Sequence, residues 1–301
     1  MSDFNKYPHV FQPIKIGNVI LKNRIVTLPM MSGLTTYDGE ITAEFIAYCG
    51  SLAKTGTGLV TIGESSIDSD RGRVHGTSIC LGDDRIIPGL VLVTEEIHRY
   101  GAKASIELNH GGVFAYGPLL GGRKPIGPST YPKNVPTDWI KAPDVEAMDK
   151  DMIRRVIDNY ISAVGRCISA GFDIVLIHSG HGWLLSQFLS PVFNRRTDEY
   201  GGTPENRMRF PLEVYRAIRD TYGNRIALDI RISGNTRIKI KNEELTTDDL
   251  LKFAQNAQKY VDSVNVSVFC LPYLESSEYM CQSYYLPHKV NAVYAEMAKR
   301  D

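Results

Sequence analysis

Two patterns of hydrophobic and polar positions alternate along the chain. Short aliphatic, often β-branched runs occur at 24–30, 59–62, 103–108, 174–177, 226–230 and 263–268. Such runs read as strands buried on both faces. Between them apolar residues recur at helical spacing, as in Phe45, Ile46, Cys49, Leu52 and Ala53, or Ile153, Val156, Tyr160, Val164 and Ile168. This spacing predicts helices near 42–53, 86–100, 149–170, 210–222, 247–260 and 291–299. Thr42 is a candidate N-cap, and Gly56, Gly101 and Gly171 stop the helices before them. Residues 11–27 read as a hairpin turning at Gly17-Asn18. Pro29 ends the strand that follows. Residues 113–148, broken by Pro and Gly, read as an irregular excursion over one end of the fold.

Strand–helix alternation implies right-handed crossovers and a parallel sheet. The fold class expected is α/β: a TIM (β/α)8-type barrel, incomplete, with about six βα units plus an N-terminal hairpin cap and the last two strands absent. A closed barrel of this class has eight strands. Residues 1–301 read as a single, truncated barrel domain, with no internal repeat and no clear linker.

Candidate chemistry centres on 172–209, FDIVLIHSGHGWLLSQFLSPVFNRRTDEYGGTPENRMR. The apolar strand there ends at His178, and His181 follows three residues on, between Gly180 and Gly182, where the backbone is free to turn sharply. Polar groups at the C-terminal end of a barrel strand are where this fold presents its chemistry. Two imidazoles there are suited to holding an oxyanion or carbonyl oxygen together, or to ligating a metal. As metal ligands they lack an obvious third partner, although His110 or Glu107 could approach.

Composition narrows the class without selecting within it. Apolar residues make up 43 % and charged residues 23 %, which suits a soluble globular protein with a sizeable core. The 34 basic and 34 acidic residues balance, so no basic stripe argues for nucleic acid. Cys49, Cys80, Cys167, Cys270 and Cys281 are scattered without a CxxC pair and read as free thiols of a reducing cytosol. The N-terminus lacks the features of a signal peptide, and no apolar run approaches the ~20 residues of a membrane span. A cytoplasmic location is expected.

LKNRIV and LPM at 21–30, GLVTIGESS at 58–66, GAKASIELNHGG at 101–112, HSGHG, FLSP, NRRTDEYGG and ENRMRF in the central stretch, and ALDIRIS at 227–233 together resemble the old yellow enzyme family of NADH:flavin oxidoreductases and ene-reductases. The resemblance is collinear from about Phe11 to Arg300. PMMSGLTTYDG and VTIGESS look closer to the multidomain 2-enoate and 2,4-dienoyl-CoA reductase branch. The resemblance implies FMN across the C-terminal mouth of the barrel, NADH or NADPH as reductant, and a small-molecule alkene as substrate. No nucleic acid or membrane is implied as a partner, and a homo-oligomer is possible. By position, Pro29, Met30 and Met31 would pass under the flavin ring, Glu64 would end near it, and Glu107 and Arg231 would face its pyrimidine edge. His178 and His181 would hydrogen-bond the substrate carbonyl oxygen.

Three departures qualify that expectation. Glu107 stands where the family usually has Gln, and an ionised carboxylate only accepts hydrogen bonds. Trp183 stands where the family usually has the tyrosine that protonates the substrate, and an indole N–H has no useful acidity. Either another group such as Tyr116 or water protonates instead, or the substrate differs, or the activity is reduced. Third, strands seven and eight, which carry the phosphate-gripping groups in the family, lie beyond this chain. The chain is then expected to be a fragment of a longer protein, a truncated product that folds poorly, or a sheet completed by another chain. A [4Fe–4S] cluster and FAD are implied only if a longer chain exists. The alternatives to an ene-reductase are a catalytically impaired barrel fragment and a metal-dependent barrel lyase or hydrolase using the histidine pair.

Overall fold

The computed structural model describes residues 6–131, 144–236, 245–272, 289 and 291–300. The strands are β1 (Ile14–Ile16), β2 (Val19–Leu21), β3 (Val26–Thr27), β4 (Leu59–Ser66), β5 (Ile79–Cys80), β6 (Lys103–Asn109), β7 (Ile126–Gly127), β8 (Glu146–Ala147), β9 (Ile174–His178), β10 (Ala227–Ser233) and β11 (Ser263–Ser267). The helices are α1 (Ala43–Lys54), α2 (Ile87–Arg99), α3 (Lys150–Ser169), α4 (Leu184–Leu189), α5 (Pro204–Tyr222), α6 (Thr247–Ala257) and α7 (Ala292–Arg300).

Six strands pair side by side in the order β11-β10-β9-β6-β4-β3, with β5 added on β4. All these pairings are parallel. This is the wall of an incomplete α/β barrel. Alternation along each strand sorts the side chains. Ala104, Ile106, Leu108, Val175, Ile177, Leu228, Ile230 and Ile232 join the core shared with the surrounding helices, packed with Phe45, Leu90, Ile153 and Tyr215. The intervening residues, among them Glu107, His178, Asp229 and Arg231, therefore line the inner face. At the N-terminal end, Leu59, Ile174 and Ala227 pack against Val19 and Leu21 of the hairpin. The hairpin is thus a floor, as its sequence predicts.

Local chemistry explains most boundaries. Thr42 caps α1 by accepting from the Phe45 N–H, and Asp149 caps α3 by accepting from the Met152 N–H. Thr246 and Asp249 form a reciprocal capping box at α6.

The structure corrects several expected bounds. The strand expected at 24–30 shortens to β3, because Pro29 has no N–H to offer the ladder. β4 extends to Ser66 through a register shift between Ile62 and Ser65. α5 starts six residues before Phe210, since Thr203 caps it and Pro204 fits its first turn. The 113–148 excursion contains the two-residue pair β7·β8, and its residues 132–143 lie outside the described part. Cys49 and Cys167 are buried free thiols, Cys270 is buried and Cys80 is half-buried, while Cys281 lies outside the described residues.

Among the described residues, β3 and β11 each pair on one side only. Leu28 and Met30, just past β3, are 56 % and 66 % exposed. No helix among the described residues is long and apolar enough to cross a membrane.

Candidate active site

The C-terminal ends of β6, β9, β10 and β11 bring the site together. His178 closes β9, and its Cα partner across the ladder is Arg231 of β10. Arg231 in turn pairs with Asn265 of β11. His181 follows β9 in the left-handed region, at φ 56°. That turn is held by the His181 N–H donating to Ser233 Oγ at 3.0 Å and by His181 C=O accepting from Leu271 N–H at 3.0 Å. The flanking glycines are required by close approach. A Cβ on Gly180 would lie 2.9 Å from Ser233 Oγ, and one on Gly182 would lie 2.9 Å from the Leu271 backbone.

Hydrogen bonding assigns one tautomer to each imidazole. The Gly180 N–H donates to His178 Nδ1 at 3.2 Å, so the His178 proton is on Nε2. That proton is directed at His181 Nδ1, 3.0 Å away. The His181 proton is then on Nε2 and is donated to Ser267 Oγ at 2.8 Å. Both rings are buried. Burial, then the other imidazole and Arg231, hold His178 well below the usual histidine range. Burial and Arg231 lower His181 to about 3. The pair is therefore neutral at physiological pH.

Arg231 Nη1 meets Glu107 Oε2 at 3.1 Å, with both side chains buried, and Arg231 Nε donates to Asn265 Oδ1 at 3.3 Å. Burial raises Glu107 to about 7 even though Arg231 opposes it. Glu64, two residues before the end of β4, accepts from Ser78 Oγ at 3.1 Å. Burial and the neighbouring Glu107 raise it to about 8. Among the described residues, the ion pair of Arg231 is with Glu107 and not with Glu64.

The structure unites His178, His181, Glu107 and Arg231, with Glu64 beside them. Trp183 stands edge-on to His178, ring centroids 6.5 Å apart, and packs on the apolar cluster of Phe114, Phe193 and Phe269. Pro29 lies against Gly63, whose added Cβ would fall 2.9 Å from Pro29 Cβ and 3.1 Å from Glu107 Cβ. Met30 and Met31, by contrast, are exposed beside the open edge. Tyr116 is also exposed. Asn194 donates to the Phe188 and Tyr200 carbonyls, and Arg196 pairs with Asp198, so NRRTDEYGG is a structural loop. Among the described residues, no three His, Cys, Asp or Glu side chains are placed to hold a metal. His110 Nε2 faces Asp68 at 3.8 Å instead, and Glu107 is taken by Arg231. Sequence reasoning missed Ser267, Asn265, Ser233 and Asp229. The alternation in SVNVS and ALDIRIS was the available signal, since it sets them on the inner face with Arg231.

Residues 9–271 match the profile of the NADH:flavin oxidoreductase / NADH oxidase family. The chain belongs to that family. Over 263 residues it is 31 % identical to an NADH oxidase of Thermoanaerobacter brockii, covering 87 % of this chain and 40 % of that protein. It is 36 % identical over 253 residues to an NADPH dehydrogenase of Bacillus cytotoxicus, covering 82 % and 67 %. An old yellow enzyme homologue from Zymomonas mobilis superposes with a TM-score of 0.75 at 26 % identity, covering 86 % and 73 %. The family and the incomplete barrel expected from the sequence are both borne out. The chain spans less than half the length of the T. brockii relative.

Proposed function

We propose that the chain is the cofactor-binding barrel of an FMN-dependent oxidoreductase that takes hydride from NADH or NADPH and delivers it to an activated alkene. The observation that carries this reading is two neutral, hydrogen-bonded imidazoles set beside a buried guanidinium at the strand ends. A flavin fits the residues present. Gly63 leaves its position bare between Pro29 and Glu107, and the lining mixes N–H donors with carboxyl acceptors, as a pyrimidine edge requires.

FMN, when bound, supplies the two-electron carrier. Pro29, Met30, Met31, Glu64, Glu107 and Arg231 would hold it. Arg231 favours negative charge at its edge of the site. His178 and His181 offer N–H donors with no proton to spare for general-acid chemistry, which suits them to polarising a carbonyl oxygen. The His181 Nε2–H, now given to Ser267, is the donor a substrate oxygen would take over.

Trp183 favours a second reading, in which the acceptor needs no carbon protonation. The T. brockii relative is named for an oxidase activity, and dioxygen would be such an acceptor. Reconstitution with FMN followed by anaerobic NADH or NADPH tests both. Retained flavin absorbance that bleaches and returns on adding a cyclic enone supports the alkene reading. Return with air alone supports the second, and a colourless protein overturns both.

A further inference from the structure

Every residue of α4 is buried, and one of them carries a carboxamide. Gln187 is 0 % exposed. Its Nε2 donates to Gly182 C=O at 2.7 Å and to Gly111 C=O at 3.0 Å. Its Oε1 accepts from Val113 N–H at 3.1 Å. Reversing the amide would set Oε1 against two carbonyl oxygens, so the partners fix its orientation. Both donor hydrogens are used, in a buried setting where an unmade bond is costly. The loop after β6 is shaped to admit the amide. Gly112 has φ 61°, and a Cβ there would fall 2.2 Å from Gln187 Oε1.

These bonds join two strand ends. Gly111 and Val113 follow β6, while Gly182 follows β9, between His181 and Trp183. The Leu184 N–H adds a parallel tie to His110 C=O at 3.0 Å. From the other side, Ser233 and Leu271 hold the His181 backbone. The histidine turn is therefore fastened from both sides, and Gln187 supplies the side-chain fastening towards β6. Its bonds go to backbone groups, so it acts on the imidazoles through the turn.

We propose that Gln187 is a positioning residue for the histidine pair. Its carboxamide locks the turn after β9 to the loop after β6 and so keeps one order of donation, His178 to His181 to Ser267. The bearing of this role on alkene reduction rests on the flavin reading above. His181 Nδ1 must stay within reach of His178 Nε2, and His181 Nε2 within reach of Ser267 Oγ, at the 3.0 and 2.8 Å observed. A carbonyl oxygen is polarised only while such donors stay aimed at it. With the turn unfastened, the rings trade tautomers, and part of the population presents a bare nitrogen where a donor is needed.

Nitrogen NMR of the cofactor-free chain, labelled in histidine, reads the tautomers. In the wild type, His178 and His181 are each expected to show a protonated Nε2 and a bare Nδ1 at neutral pH. Gln187→Met keeps the reach of the side chain without its hydrogen bonds. It is expected to draw the two nitrogen shifts of each ring together, as exchanging tautomers do, with the circular dichroism of the folded chain retained. Loaded with FMN, the same variant is expected to lose up to about a hundredfold in kcat for a cyclic enone at unchanged FMN Kd, the loss that a misplacement of about 1 Å causes. A folded variant that keeps wild-type histidine shifts overturns the proposal, however far its urea midpoint drops, because a merely structural role lowers stability alone. If Gln187→Met does not fold, Gln187→Glu decides by the same shifts. It keeps the acceptor for Val113 N–H but, when ionised, has nothing to donate to Gly111 or Gly182. Histidine shifts that respond as expected in a chain that binds no FMN sink the flavin reading and leave the positioning role standing.

Discussion

Trp183 and His178 meet edge to face, with planes at 83°, so the indole supplies bulk beside the imidazole but no acidic proton. Trp183→Tyr exchanges that bulk for a phenol. In the FMN-loaded protein it is expected to raise enone reduction by about a hundredfold, the lower end of the range for a positioned general acid. Steady-state turnover checks this, and an unchanged rate assigns protonation to another group. The same residues show how far side-chain roles were readable. His178 and His181 were visible because two polar residues interrupt an apolar strand end. Their order of donation was not, since it depends on the Gly180 amide and Ser267, the latter 86 residues away in sequence. The Glu107–Arg231 pair spans 124 residues and was equally hidden.

The hairpin β1–β2 works as a floor because Val19 and Leu21 point the same way, onto the first residues of β4, β9 and β10. Leu21 is 1 % exposed. Leu21→Ala is expected to cost about 3 kcal/mol through lost burial and a cavity, read as a lowered urea midpoint at unchanged slope. Elements were legible where burial imposes a pattern. β9 stood out as a continuous apolar run, β6 and β10 as alternating ones, and α3 as a one-sided stripe. α4 did not, because all six of its residues are buried and no polar face marks its period. β5, β7 and β8 have two residues each, too few for any alternation to register.

For the molecule as a whole, the buried ionisable groups set opposing limits on stability. Glu64 and Glu107 keep protons that an unfolded chain releases near 4.5, so stability falls as pH rises from about 4.5 to about 8. His181 refuses a proton that the unfolded chain accepts near 6.5, and His178 does likewise, so stability also falls as pH drops from about 6.5 towards 3. The denaturation midpoint is therefore expected to be highest between about pH 4.5 and 6.5, which a series of urea titrations measures; a maximum at alkaline pH contradicts it. The uncovered margin at β3 bears on handling the chain in isolation. Among the described residues, Leu28 and Met30 stand exposed just past a strand that is paired on one side only. That combination is adhesive: any extended peptide laid alongside would find both vacant amides and greasy side chains to cover, so concentrated solutions will tend to clump unless something occupies that margin.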